Sequence, residues 1–381
     1  MTSAESRSPA DAGASSEGYE HRFGTSPPLS IGVEEELLLV DERRCLAPVS
    51  EDVLAAVDRT ARDGVTAEIF AAQIELKTHI CHDAEEAERE LTELRRAVGK
   101  TGVELIASGL HPADESEEAQ LVPKPRYMEV QKDLQGLLKT PPCGLHVHVG
   151  MPDPETAVRV ANALRHRLSL LQALTANSPF WRGVDSGLAS ARTAVVHSYP
   201  RFEMPRAFRD YEDFCRVADQ LIAAAGVEDY TFIWWDVRPH PRLGTVEVRG
   251  MDVPTSPATS VAVAALIQAL AAKEIDRPDT PELTREALEE SCYQASRYGL
   301  AARLLVDEET AAEASEVATS TLEEIRPYAR ELGSEDALAE IERILRDGNG
   351  ADDQRRVHGA SGMDGLLGYL LERTRAGERQ A

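Results

Sequence analysis

The most constraining stretch of this chain runs from Ile31 to Val40 and reads Ile-Gly-Val-Glu-Glu-Glu-Leu-Leu-Leu-Val. Its apolar ends are those of a buried β-strand, yet three consecutive carboxylates fill its middle. Side chains alternate along a strand, so Glu34 and Glu36 point to one face and Glu35 to the other. Two carboxylates side by side on a sheet face repel each other and lose solvation, so stability alone does not place them there. A bound divalent cation removes both objections. Glu34 and Glu36 are therefore candidate magnesium ligands, Glu35 is expected to be structural, and the rest of the chain has to supply the missing ligands.

Other strands offer them. From Gln73 the polar positions alternate, so Gln73, Glu75, Lys77 and His79 share one strand face. Glu68, seven positions before Glu75, needs a bend or bulge to face the same way. The run Cys143-Gly-Leu-His146-Val-His148-Val-Gly150 alternates with both histidines on one face and breaks at Pro152. Two later strands are expected over Phe232–Arg238 and Thr245–Asp252, the second with Glu247 and Arg249 opposite Val246 and Val248. One charged strand face is the ordinary solvated side of an antiparallel sheet. Four of them, each backed by valine or leucine, point instead to a charged concave face. Carboxylate oxygens suit hard cations, magnesium or manganese. Five glutamates are too many for a structural zinc, and no Cys-x-x-Cys pair exists. His79, Cys81 and His82 are read as strand-end residues despite their metal-like spacing.

Helices are expected from Ser50 to about Arg62, from Ala84 to Gly99, after Pro125, from Asp153 to Asn177 and from Tyr211 to Ala225. The fourth opens with Asp153 at the N-cap and Pro154 at the first helical position, and carries a core stripe from Val158 to Leu174. Gly183–Pro205 reads as a loop of more than twenty residues bearing Asp185 and Arg192, just after Arg182. Loops this long in compact domains tend to be functional. From Ser256 the pattern is helical, starting with a buried alanine-rich helix to Ile275. Residues 1–28 are small and polar, the composition of a disordered leader. The expected organisation is a single α+β catalytic domain over 29–375, its part beyond about 256 a helical cover.

Acidic residues number 66 against 41 basic ones, a formal net charge of -25, and only six of the basic residues are lysines. That is the usual surface of a protein that stays soluble in molar salt, where the Debye length shrinks to roughly 3 Å. An ordinary acidic cytosolic protein is the alternative. Either way, the charge argues against a nucleic-acid or anionic-membrane partner. Five scattered cysteines indicate reduced thiols in the cytoplasm rather than disulfides. No apolar run reaches transmembrane length and no signal-peptide pattern opens the chain, so a soluble intracellular protein is expected.

Several magnesium ions and an arginine in one pocket suit phosphoryl transfer, in which metals bridge phosphate oxygens and a guanidinium stabilises developing charge. There is no Walker A loop and no Gly-x-Gly-x-x-Gly before a helix, so nucleotide would be held through its metals. The residues alone thus describe a magnesium-dependent, phosphate-handling enzyme.

A family resemblance goes further. Gly32-Val-Glu-Glu-Glu36, Gly144-Leu-His-Val-His-Val-Gly150, Ala176-Asn-Ser-Pro-Phe180, Trp235-Asp-Val-Arg-Pro239 and Val246-Glu-Val-Arg249 resemble the carboxylate–amine ligase branch of the glutamate–cysteine ligase superfamily. Ala295-Ser-Arg-Tyr-Gly-Leu300 and Gly348-Asn-Gly-Ala351 are similar to that branch too, so the likeness covers about Leu29 to Leu370. It implies a glutamine-synthetase-like fold: a curved, mainly antiparallel sheet with metals on its concave face and helices outside. It implies ATP-dependent ligation of the glutamate γ-carboxylate to cysteine through a γ-glutamyl phosphate, with another carboxylate–amine pair as the alternative. In salt-adapted archaea, members of this family are expected to make γ-glutamylcysteine as the main thiol. By similarity, Glu36, Glu68 and Glu75 match one magnesium site, and Glu34, His146 and Glu247 a second. Arg249 matches the arginine that contacts the transferred phosphate, Arg192 and Arg238 lie in motifs matching carboxylate or phosphate clamps, and His148 stands behind the ligands. The implied partners are glutamate, cysteine and ATP, with room for a homo-oligomer. A metal-binding or regulatory protein that has lost catalysis would show a broken constellation, and this one is intact.

The charge balance makes a prediction of its own. Transfer from molar salt to dilute buffer is expected to unfold or inactivate the protein through self-repulsion, and a circular-dichroism signal unchanged at low salt would contradict the salt-adapted reading.

Overall fold

The computed structural model describes residues 19–114, 119–281 and 283–376. The acidic strand, β1 (Ile31–Val40), is the spine of a seven-stranded sheet. The other members are β2 (Val65–Ala67), β3 (Gln73–Lys77), β4 (Glu104–Ile106), β5 (Gly144–Gly150), β8 (Val237–His240) and β9 (Thr245–Asp252). Between β5 and β8 lies a separate small hairpin, β6 (Phe180–Trp181) and β7 (Val184–Asp185). The sheet order is β2-β3-β1-β5-β9-β8, with β4 beside the far end of β1, and every pairing is antiparallel. Both edges of β1 are in use. β3 follows Glu34 to Leu38 on one, while β5 follows Ile31 to Glu35 and β4 follows Leu38 to Val40 on the other. This is the mixed α+β class with an antiparallel sheet that the sequence leads one to expect.

Alternation divides the faces. Val33, Val147, Val248 and Met251 point to one side and pack with Leu91, Val160 and Ala264 of the helices Ala84–Gly99, Pro154–Arg165 and Pro257–Asp276. Glu35 points to that apolar side too, and it is fully buried. Its carboxylate accepts from Arg95 Nε at 2.8 Å and from Ser260 Oγ at 2.5 Å, while Arg95 Nη1 donates to Thr255 O at 2.8 Å. A buried charge is tolerable only when paired and hydrogen-bonded in this way. Glu35 therefore clamps the sheet to its helical layer.

Several elements differ from expectation, each for a visible reason. The helix expected over 50–62 stops at Ala56, because Val57 leaves helical geometry and joins Val53 in the core; a 3-10 turn follows at Arg62–Gly64. The helix opened by Asp153, whose side chain caps Thr156 N, breaks after Arg165 and resumes at Leu168–Thr175, with Val158 to Leu174 still buried. No strand forms over Phe232–Asp236: Asp229 caps Thr231 N and pins a 3-10 turn, and Phe232, Ile233 and Trp235 are apolar because they pack in the core. The long loop holds the β6–β7 hairpin and a helix, Ala191–Val196, capped by Ser190. The C-terminal region also contains a hairpin, Arg303–Leu305 with Ala311–Glu313.

Contrary to the sequence expectation, one helix, Pro257–Asp276, is long and apolar enough to cross a membrane by length and composition. Its apolar window is 83% buried inside the protein, as befits a core helix that is apolar all round. Of the leader expected over 1–28, residues 1–18 lie outside the described residues. Tyr19 lies edge-on to Phe214 and tilted against Tyr230, and Phe23 is buried against Tyr211.

Arg95→Ala would leave Glu35 an uncompensated buried charge and is expected to cost about 3–5 kcal/mol. Denaturant unfolding in constant salt measures this, and a cost below about 1 kcal/mol would mean that Glu35 finds another partner.

Candidate active site

The face of the sheet opposite the helices lines a cavity of about 380 Å³. Register builds it row by row. Glu34 lies between Lys77 and His146, Glu36 faces Glu75, which faces Thr66, and Glu247 lies between His148 and Arg238. Glu68 enters from the turn between β2 and β3, which is the bend its spacing requires. Every candidate from the sequence lines this one cavity: Glu34, Glu36, Glu68, Glu75, His146, His148, Arg192, Arg238, Glu247 and Arg249. Of the remaining loop charges, Asp185 is instead held by Arg355 at 2.9 Å.

One end of the cavity is acidic. Glu36, Glu68 and Glu75 bring oxygens within 4.8 Å of one another, and Glu34, Glu75 and the His146 ring do the same. Burial and the Glu36 charge push Glu68 up to about 7. Burial, with the charges of Glu34 and Glu68, lifts Glu75 well above the usual carboxylate range. Glu34 goes the other way: burial would raise it, but hydrogen bonds from His146 and His148 hold it well below the normal value. The His146 ring nitrogen lies 3.3 Å from Glu34, and Lys77 Nζ lies 2.5 Å from Glu75 and 3.9 Å from Glu34. On the β1 edge left open between β5 and β4, Gly144 N donates to Glu36 at 2.6 Å. Four crowded carboxylates with one imidazole among them, of which burial and mutual repulsion raise Glu68 and Glu75, form a donor set a hard divalent cation accepts.

The other end is basic. Arg238 Nε and Arg249 Nη1 donate to the two oxygens of Glu247 at 2.7 and 2.9 Å. Burial would raise Glu247, but these two positive charges hold it well below the usual range. The resemblance groups Glu247 with Glu34 and His146; in the structure Glu75 stands beside that pair, and Glu247 is occupied by guanidiniums. Arg192 is nearly fully buried, and its guanidinium packs over Gly144, where a Cβ would meet Nη2 and displace it. Arg192 Nε and Nη1, Arg249 Nε and the Tyr199 hydroxyl are buried without a hydrogen-bond partner. Unpaired buried donors are costly, so a cavity that holds four of them is built to receive an anion.

Sequence reading placed Arg192 in the loop but missed Tyr199 and Phe202, which wall the cavity beside it. Neither sits in a periodic element; the Ser190 N-cap was the one local signal that this segment is ordered. It also missed a register shift between β5 and β9 opposite His146, where Arg249 and Gly250 form a bulge. The bulge lets Asp252 face the cavity side, where it accepts from Asn177 N, Ser178 Oγ and Ser190 Oγ at 2.6–2.9 Å.

A divalent cation held here would compete with protons on Glu68 and Glu75. Manganese affinity is therefore expected to rise with pH through about 7, by about tenfold per pH unit for each proton released, and Glu36→Gln should weaken it at every pH. Calorimetry in two buffers of different ionisation heat measures the proton count, and a count of zero would contradict the assignment.

Residues 30–372 match the family model described as glutamate–cysteine ligase family 2. A glutamate–cysteine ligase of Haloferax volcanii is 35% identical over 360 residues, covering 92% of this chain and 96% of that protein. A Rubrobacter xylanophilus protein provisionally named glutamate–cysteine ligase 2-3 is 42% identical over 366 residues, covering 93% and 99%. Among solved structures, a Francisella tularensis glutamate–cysteine ligase in complex with AMP shares the fold with a TM-score of 0.69 at 15% identity, covering 92% of this chain and 88% of that one. A bifunctional glutathione synthetase from Pasteurella multocida gives 0.65 at 13% identity, covering 92% and 52%. The match of residues 30–372 to the family model, with relatives 35–42% identical over nearly the whole chain, places this protein in glutamate–cysteine ligase family 2.

Proposed function

We propose that the protein joins the γ-carboxylate of glutamate to the amine of cysteine, consuming ATP and yielding γ-glutamylcysteine, ADP and phosphate. The observation that carries this reading is the division of one cavity into an acidic end and an end with unpaired buried guanidiniums. In the first step a γ-carboxylate oxygen attacks the γ-phosphorus of ATP, and ADP leaves. In the second the amine nitrogen attacks the acyl carbon, and phosphate leaves. Magnesium or manganese, held by Glu36, Glu68 and Glu75 and by Glu34 and His146, would neutralise phosphate oxygens and draw charge toward the leaving ADP.

The chain's own residues then have separate tasks. Arg249, fixed by Glu247 through Nη1, keeps Nε for the transferred phosphoryl group. Arg192, through its unpaired Nε and Nη1, and the unpaired Tyr199 hydroxyl receive a carboxylate or phosphate oxygen beside Glu36 and His146. Arg238 is buried, bound to Glu247 and to the Ile233 and Tyr230 carbonyls, so it orients Glu247 and does not reach for substrate. His148 donates to or accepts from Thr245 Oγ1 at 3.0 Å and steadies Glu34 from behind. Lys77 supplies a counter-charge to Glu75 at the cavity wall.

Phosphate release is expected when the protein is incubated in molar potassium chloride with ATP, magnesium, glutamate and cysteine. If cysteine gives no more phosphate than the amine-free control while another amine does, the amine assignment fails and the ligase chemistry stands. No release with any amine removes both.

A further inference from the structure

Behind the arginine end of the cavity lies a second histidine–carboxylate pair that the reaction above does not use. His197 caps the C-terminal end of the helix that carries Arg192. Its Nε2 lies 3.5 and 3.4 Å from the two oxygens of Asp236, a buried residue of the Trp235-Asp-Val-Arg-Pro motif. Asp236 reaches the other arginine as well, because its backbone carbonyl accepts from Arg249 N at 2.8 Å. Its side chain rests against Gly250, where a Cβ would lie 2.8 Å from Oδ1 and 3.1 Å from Cβ and Cγ. Arg249 and Gly250 are the bulge that re-aims β9. A single aspartate thus touches both the helix of Arg192 and the bulge of Arg249.

At its N-terminal end the Arg192 helix is already tied to β9, because Asp252 accepts from the Ser190 cap and from Ser178 Oγ, which itself accepts from Arg192 N; the His197–Asp236 pair supplies the tie at the C-terminal end. Arg192 Nε and Nη1 have no partner, and Arg249 is tied only to Glu247 on its own strand. The pair faces a second cavity of about 850 Å³, which shares the Tyr199 and Phe202 wall with the first. The charges around it are largely spoken for: Arg285 pairs with Glu203 and Glu289, each at 2.6 Å. The groups facing the imidazole are Asp236, Arg192 from its own helix, Glu289 and the buried Cys292 from the helix Arg285–Tyr298, and the Phe202 ring at 5.9 Å.

We propose that His197 and Asp236 form a positioning pair that locks the Arg192 helix to the Arg249 bulge, so that two guanidiniums from separate elements converge on one anion. This rests on reading the first cavity as a phosphoryl-transfer site. The pair touches no substrate; it acts through the two arginines, and it reports pH through the second cavity. Burial would lower His197, but the hydrogen bond and charge of Asp236 outweigh burial and hold it above the usual imidazole value. The charged pair is therefore complete below that raised value and is lost as pH rises through it.

Two measurements on the full-length protein test the proposal. In the first, deuterium exchange is compared for the wild type, His197→Gln, Asp236→Asn and Gly250→Ala. Exchange is expected to rise together, by about tenfold or more, in residues 191–199 and 247–252. A rise confined to 191–199 would overturn the coupling. In the second, ADP formation from ATP, magnesium and glutamate without an amine is followed over roughly pH 6 to 9. The wild type should lose about tenfold per pH unit above its imidazole midpoint. Asp236→Asn should move that limb to lower pH, and His197→Gln should be slower with the limb gone. A limb of the same midpoint in His197→Gln would overturn the proposal. If the wild type forms no ADP with glutamate alone, the profile is taken with cysteine added; no ADP with any amine makes the ligase reading fail by itself, and the exchange data still decide whether the pair couples the two segments.

Discussion

Repulsion among carboxylates confined to one sheet face is the constraint on which the rest of this structure depends. Glu34, Glu36, Glu68 and Glu75 share a buried cavity wall that no apolar packing could stabilise. Their placement is enforced from behind. The same strands bury valine and leucine against helices on the opposite face, and a one-residue slip of register would drive the acids into that core. The hydrophobic layer thus does the folding, and the acidic layer is carried along at a cost. Local compensation limits that cost: Lys77 beside Glu75, two histidines beside Glu34, and the Gly144 amide on Glu36.

The same face is polar in the electrical sense. Toward β3 burial and mutual repulsion raise Glu68 and Glu75, and toward β8 two guanidiniums hold Glu247 well below the usual carboxylate range while Arg249 Nε stays unpaired. A site of this kind is preorganised by burial, since its charges act where water cannot screen them.

Legibility followed periodicity. The two-residue period of β1, β3, β5 and of β9 up to its bulge let the facing of Glu34, Glu36, Glu75, His146, His148, Glu247 and Arg249 be read without coordinates. The apolar run Phe232–Trp235 misled because core packing of a turn and of a strand produce the same composition. Arg192 could be singled out only as a charge in a long loop; its six-residue helix is too short to leave a periodic signal. Asp252 and the Asp236–Gly250 contact depended on a bulge, which a sequence pattern does not display.

What the sequence by itself determined is which residues share a face, because the two-residue period of a strand is a property of the backbone. It also determined the chemistry of that face, since carboxylates and imidazoles among valines admit few uses. Only the tertiary structure decided how the groups are partnered. Atoms of Glu75, Glu34 and the His146 ring lie within 4.8 Å of one another, and Glu247 accepts from two arginines, because strand order and register set distances between residues far apart in the chain. The acidic strand supplies two carboxylates to two groupings, and it is the order β3-β1-β5 around it that tells them apart.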